Sequence, residues 1–118
     1  MLEGDEILID INFEFVKGIL FVRLEGELTN INYNNIEENV ISIIRNGGIK
    51  YLVLNVTNLS IIKNVSLFDN CNKAIKENNG MMYICGLKKD LKKVLTCNYN
   101  CCNKIKNEIS VFRMQRLC

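Results

Sequence analysis

No histidine occurs in this chain of 118 residues, so an imidazole base and any Ser-His or Cys-His nucleophile pair are excluded. Neither usual glycine-rich phosphate loop is present. Paired acids such as Glu37-Glu38 are adjacent on a helical stretch and point in different directions, so they read as solvated residues, not an acid/base pair. Six cysteines remain: Cys71, Cys85, Cys97, Cys101, Cys102 and Cys118. The spacing Cys97-x-x-x-Cys101-Cys102 departs from the Cys-x-x-Cys pairs of structural zinc sites, and only Cys85 or Cys118 could add a fourth thiolate. No metal, cofactor or catalytic residue is therefore assigned. Cys71 and Cys85 fall at core positions and read as small buried hydrophobes.

With the chemistry so limited, the most informative stretch is Asn55 to Leu67. It leaves an apolar strand, crosses a polar turn and enters an amphipathic helix. A strand-to-helix loop of this kind brings side chains and backbone N–H groups to the rim of an α/β sheet, a frequent place for recognition, with N–H groups that favour an anion or a phosphoserine. Ser66, followed three residues later by Asp69, has helix-start spacing and reads as an N-cap.

The elements on either side are legible in the hydrophobic pattern. Ile7–Val16 alternates with period 2, Lys17-Gly18 is a turn signal, and Ile19–Glu25 alternates again, which together give an antiparallel hairpin. Gly26 to Thr29 leads out of it. Asn34 and Glu37 have capping-box spacing at the head of a helix marked by Ile36, Val40, Ile43 and Ile44 and stopped by Gly47-Gly48. Ile49–Val56 is nearly all apolar and reads as a strand buried on both faces. A helix with Leu67, Phe68, Cys71, Ala74 and Ile75 inward ends at Asn79-Gly80, and Met81–Cys85 is another short buried strand. Lys88–Leu95 reads as a short helix with Lys88, Lys89, Lys92 and Lys93 on a solvated face. Thr96–Asn103 holds a short edge strand, and Lys106–Gln115 a last helix. The expected order is β-β-α-β-α-β-α-(β)-α. It describes one α/β domain over residues 1–118, with a mixed sheet of four to five strands, an N-terminal hairpin and about four helices.

A net charge of +2, with 15 basic residues spread among 13 acids, gives no electrostatic case for nucleic acid or an anionic membrane as partner. The acidic start and the absence of a long uncharged apolar run point to a cytoplasmic protein with reduced thiols.

Three segments carry a resemblance: Gly18 to Leu28, with Gly26-Glu27-Leu28 after the second strand; Tyr51 to Ser60, with its Leu59-Ser60; and Gly80 to Gly86. Together with the element order they resemble STAS domains, and within them the anti-sigma-factor antagonists of bacteria, over roughly residues 7–96. The resemblance implies a non-enzymatic regulatory module that binds a protein, an anti-sigma factor of the serine kinase type. In that family the kinase phosphorylates a Ser or Thr in a D-S-[ST]-G motif at the start of the second helix and so breaks the complex. Aligned on Leu59-Ser60, Lys63 takes the place of the Asp, Asn64 of the first Ser, Val65 of the phosphorylated residue and Ser66 of the Gly. The expected partner-binding residues are Lys63, Asn64, Val65 and Ser66, with Thr29 at the exit of the second strand. Valine has no hydroxyl to phosphorylate. Three consequences stay open: an unswitched binder, an off-register phosphosite at Ser66, or a degenerate STAS scaffold with a different partner. The alternative from another class is a small-ligand- or metal-binding domain that uses the cysteines.

Overall fold

The computed structural model describes residues 9–88 and 107–112, and the backbone of residues 103–105. In chain order these form β1 (Ile9–Val16), β2 (Ile19–Leu28), α1 (Tyr33–Gly47), β3 (Tyr51–Ile62), α2 (Ser66–Glu77), β4 (Met81–Cys85) and β5 (Asn103–Ile105), with a helical turn at residues 110–112. The five strands make one sheet in the order β1-β2-β3-β4-β5. Only β1 runs antiparallel to its neighbour; β2, β3, β4 and β5 are mutually parallel. The α/β class and the N-terminal hairpin agree with the sequence reading; a short fifth strand is present but lies at Asn103–Ile105, at the far end of the expected Thr96–Asn103 segment. The expected helix over Lys88–Leu95 and the cysteines Cys97, Cys101, Cys102 and Cys118 lie outside the described residues.

Local chemistry accounts for this layout. Lys17 and Gly18 both have positive φ, 53° and 82°, the geometry of a two-residue type I′ turn whose twist matches the hairpin. Parallel neighbours need crossovers, which α1 and α2 supply. Both helices pack on one face of the sheet. There Leu20, Val22, Leu24 and Leu28 of β2 and Leu52, Leu54, Val56 and Leu59 of β3 meet Ile36, Val40 and Ile44 of α1 and Leu67, Phe68, Cys71 and Ile75 of α2. The opposite face carries a smaller core of Ile19, Phe21, Val53, Tyr83 and Cys85, covered by Val111 and flanked by Phe112. With both faces covered, Leu52, Val53 and Leu54 are all fully buried, as the unbroken apolar run predicts.

Three local expectations are corrected. First, β3 does not stop at Val56 but continues to Ile62. At two irregularities β3 carries one extra residue, Asn55 to Asn58 against Arg23 to Glu25 and Leu59 to Ile61 against Gly26 to Glu27; these re-phase β3, so pairing with β2 persists to Leu28 opposite Ile62. Leu59 and Ile62 turn into the core, while exposed Thr57, Asn58 and Ser60 imitate a turn in the sequence. Second, α1 starts at Tyr33 with Asn32 at its N-cap, so Asn34 lies inside the helix and no capping box forms. Third, Val65 occupies the N-cap position of α2 and Ser66 is its first helical residue. The helix-start polar group comes instead from Asn64, whose Oδ1 accepts the Ser66 N–H at 2.8 Å. At the far end of α1, Gly48 closes the helix in the left-handed region at φ 60°, as expected of the glycine pair.

Candidate functional site

Two loops meet at the rim beyond the carboxyl ends of β2 and β3. The first, from Thr29 to Asn32, is held by its own side chains. The Thr29 N–H donates to Asn32 Oδ1 at 2.9 Å, Asn32 Nδ2 donates to the Glu27 carbonyl at 2.8 Å, and Thr29 Oγ1 accepts the Ile31 N–H at 3.1 Å. Asparagine suits such turns because its amide bonds neighbouring backbone groups. The second loop, Lys63 to Val65, begins where the Lys63 N–H donates to the Leu28 carbonyl at 2.8 Å, the last rung between β2 and its neighbour. Asn64 Nδ2 then donates to Asn30 Oδ1 at 2.8 Å and ties the two loops together.

Of the expected site residues, the structure brings Lys63, Asn64, Val65, Ser66 and Thr29 to this one rim. They do not present themselves alike. Lys63 is exposed, whereas Asn64, Val65, Ser66 and Thr29 are half-buried. The Thr29 hydroxyl serves its own turn, and Val65 packs against the helix-side core. Ile31 is 71% exposed on the same rim, a large apolar side chain that sequence inspection passed over because it sits alone among asparagines.

Ser66 is engaged from the far side. Its hydroxyl donates to Glu37 Oε1 on α1 at 3.0 Å, and Asn70 Nδ2 donates both to Glu37 Oε2 at 2.9 Å and to Ser66 Oγ at 3.1 Å. The head of α2 thus already faces a carboxylate of this chain, which suits the positive end of the helix dipole. The Ser66 N–H is taken by Asn64, and the N–H groups of Phe68 and Asp69 lie against the Val65 carbonyl at 3.1 and 3.3 Å. The expected open cradle of N–H groups for an anion is therefore not what this helix start offers. In the sequence Glu37 reads as a solvated acid and a capping-box partner of Asn34, and Asn70 is passed over; Glu37 instead bonds both Ser66 and Asn70. Glu37 precedes Ser66 by 29 residues, and no spacing rule links them.

A second polar cluster lies on the opposite face of the sheet. Arg23 grips Glu108 with two bonds, Nε to Oε2 at 2.8 Å and Nη2 to Oε1 at 2.9 Å, and also meets Glu14 Oε1 and Asn12 Oδ1, each at 2.8 Å. Asn55 Nδ2 adds a bond to Glu108 Oε2 at 2.7 Å. The Arg23 hydrogen bond, reinforced by Asn55 and opposed by partial burial, holds the Glu108 carboxyl below the usual carboxylate range; the two carboxylates in turn hold the guanidinium in its charged form. This fork–fork pair pins residues 107–112 over the smaller core, where Phe112 stands 6.1 Å from the Phe21 ring.

The thiols of Cys71 and Cys85 are free and buried, as their core positions imply. Burial, with the Glu37 charge second, pushes the Cys71 thiol up; burial, with Glu108 second, pushes Cys85 up to about 12. Neither is a nucleophile at neutral pH. Among the described residues no group of three or more Cys, Asp or Glu side chains is placed to hold a metal ion, and no helix is long and apolar enough to cross a membrane.

A parallel sheet entered through an antiparallel hairpin, with two crossover helices on one face, defines a class of α/β domain. The chain belongs to the STAS domain family, whose model matches residues 10–110. Solved structures with the same fold include the anti-sigma factor antagonist SpoIIAA of Bacillus in its unphosphorylated form, at 17% identity and TM-score 0.73 over 92% of this chain and 97% of that one. RsbS of Moorella thermoacetica matches at 14% identity and TM-score 0.78, covering 91% of this chain and 96% of that one. A putative anti-sigma factor antagonist of Thermotoga maritima matches at 18% identity and TM-score 0.75, over 89% and 92% of the two chains.

Proposed function

We propose that this chain is a non-enzymatic cytoplasmic module that captures a protein partner at the rim formed by Thr29 to Asn32 and Lys63 to Ser66, and that it does so without a phosphorylation switch. The observation that carries this reading is the Ser66–Glu37 hydrogen bond beside Val65. At the family's switch position the side chain is an isopropyl group. One residue on, the Ser66 hydroxyl is half-buried and committed to a carboxylate, and a phosphoryl group there would set a dianion against Glu37. The fold shared with anti-sigma factor antagonists supports an anti-sigma factor of the serine kinase type as partner. Exposed Lys63 calls for an acidic contact on that partner, and exposed Ile31 for an apolar one.

The test is affinity capture from the native host with wild type and Lys63→Glu side by side, followed by intact-mass measurement of the recovered bait. The expected outcome is recovery of a kinase-type anti-sigma factor by wild type alone, with no phosphate on the bait. Equal recovery by Lys63→Glu would remove the rim as the interface. A phosphate at Ser66 would restore the off-register switch.

A further inference from the structure

Among the described residues β1 is the outermost strand on its side of the sheet. Edge strands of monomeric proteins are kept from pairing by lysine, proline, bulges or short length. β1 is eight residues long, contains no lysine or proline, and keeps an unbroken register with β2 from Ile9 opposite Gly26 to Val16 opposite Ile19; its charges are the two acids Asp10 and Glu14. Two aromatic side chains stand out from it, Phe13 at 37% and Phe15 at 60% exposure. Both lie on the helix-side face, opposite Val22 and Leu20.

We propose that a second copy of this chain pairs with β1 in antiparallel fashion, on a two-fold axis through Phe13, so that the two sheets become one. Backbone geometry permits it. A two-residue type I′ turn makes Val16 and Ile19 the first hydrogen-bonded pair, and the antiparallel alternation then turns the N–H and C=O groups of Phe15, Phe13, Ile11 and Ile9 outward.

Charge selects both the occupant and the register. Centred on Phe13, the pairing sets Ile11 against Phe15 of the second copy, Asp10 against Val16, and Asn12 against Glu14. Asn12 spends its carbonyl on Arg23, so its amide N–H₂ can meet the carboxylate of the second copy. Centred on Asn12, the same strand would oppose Asp10 to Glu14 twice; centred on Glu14, it would oppose two identical carboxylates. Centred on Ile11, the described strand would pair only from Ile9 to Phe13, five residues against the seven from Asp10 to Val16. The strand is thus self-complementary over the greatest length in the Phe13 register: its apolar residues meet each other and its acids avoid each other, as an isologous contact requires.

Sedimentation velocity on the full chain under reducing conditions, across a concentration series, tests this. The expected result is a concentration-dependent monomer–dimer equilibrium. Phe13→Pro, which removes an outward N–H at a position where an edge strand tolerates proline, should weaken the dimer about tenfold or more, as should Phe15→Lys. Both variants should keep the wild-type far-UV spectrum, and the second stands in if the first loses it. Asp10→Lys should leave the dimer unchanged. A monomer at every concentration overturns the proposal and leaves the edge to a strand of another protein. A dimer indifferent to both Phe variants places assembly on another surface, and a dimer tightened by Asp10→Lys refutes the register.

Discussion

The Ser66 hydroxyl on α2 donates to the Glu37 carboxylate on α1 at 3.0 Å, and Asn70 bonds both partners. This contact ties the two helices together above the helix-side core and leaves the Ser66 hydroxyl half-buried. A half-buried hydrogen bond to a charged group contributes about 1.5–3 kcal/mol, and loss of one partner is felt in full when the other stays desolvated. Ser66→Ala should therefore cost about 1 kcal/mol, because Asn70 still satisfies Glu37, and Ser66→Glu about 2 kcal/mol, because it opposes two carboxylates. Adding Glu37→Gln to Ser66→Glu should recover most of that loss. Urea unfolding followed by circular dichroism measures all three; a Ser66→Glu variant as stable as wild type would show that the contact does not form in solution.

Val65 makes a second prediction. Val65→Ser places a hydroxyl at the N-cap position of α2 without enlarging the side chain. Incubated with a serine-kinase-type anti-sigma factor and MgATP, this variant should gain one phosphate by intact mass, while wild type gains none. Modification of wild type, or of neither protein, counts against the proposed reason for a missing switch.

The Arg23–Glu108 pair sets a pH dependence. The folded state holds the Glu108 carboxyl below its ordinary value of 4.5, so the unfolded chain binds the proton more tightly. The stabilisation is present in full above the ordinary carboxylate value and is lost as pH falls through the depressed folded value. Glu108→Gln should cost about 1–2 kcal/mol near pH 7, a figure held down by the partial exposure of Arg23, and should flatten the acid side of the stability curve. Urea midpoints from neutral to acid pH measure this. The same slope in both proteins would assign acid sensitivity to other carboxylates.

Cys71 and Cys85 make a prediction of reactivity. Both thiols are pushed upward by burial, Cys85 to about 12, so neither forms appreciable thiolate at neutral pH. Iodoacetamide should label them only after denaturant is added. On the alkaline side the unfolded chain loses these protons first, from its ordinary thiol value of 9.0, so their contribution to stability is intact below that value and falls away as pH rises towards the folded values. Peptide mapping after labelling of the native protein checks the first part; rapid native modification at Cys71 would mean that the helix-side core opens far more readily than its packing implies.

The amino-acid sequence by itself determined the hairpin, the two crossover helices, the central strands and the burial of Cys71 and Cys85. Those features follow from hydrophobic periods of 2 and 3.6 residues and from glycines at turns, which are local signals. Sequence also determined that Val65, with no hydroxyl, can carry no phosphate in any fold. Tertiary structure alone decided the rest. Thr57, Asn58 and Ser60 look like turn residues, yet they belong to β3 because its extra residues at two irregularities keep the pairing with β2 in phase to Ile62. Asn64, and not Ser66, supplies the polar group at the head of α2, and Asn32, and not Asn34, precedes α1. The two polar contacts that matter most join residues 29 and 85 positions apart, Glu37 with Ser66 and Arg23 with Glu108. No spacing rule reaches so far. Which flank of α1 meets which flank of α2, and what lies over the second face of the sheet, depend on how whole elements pack once their apolar sides are buried.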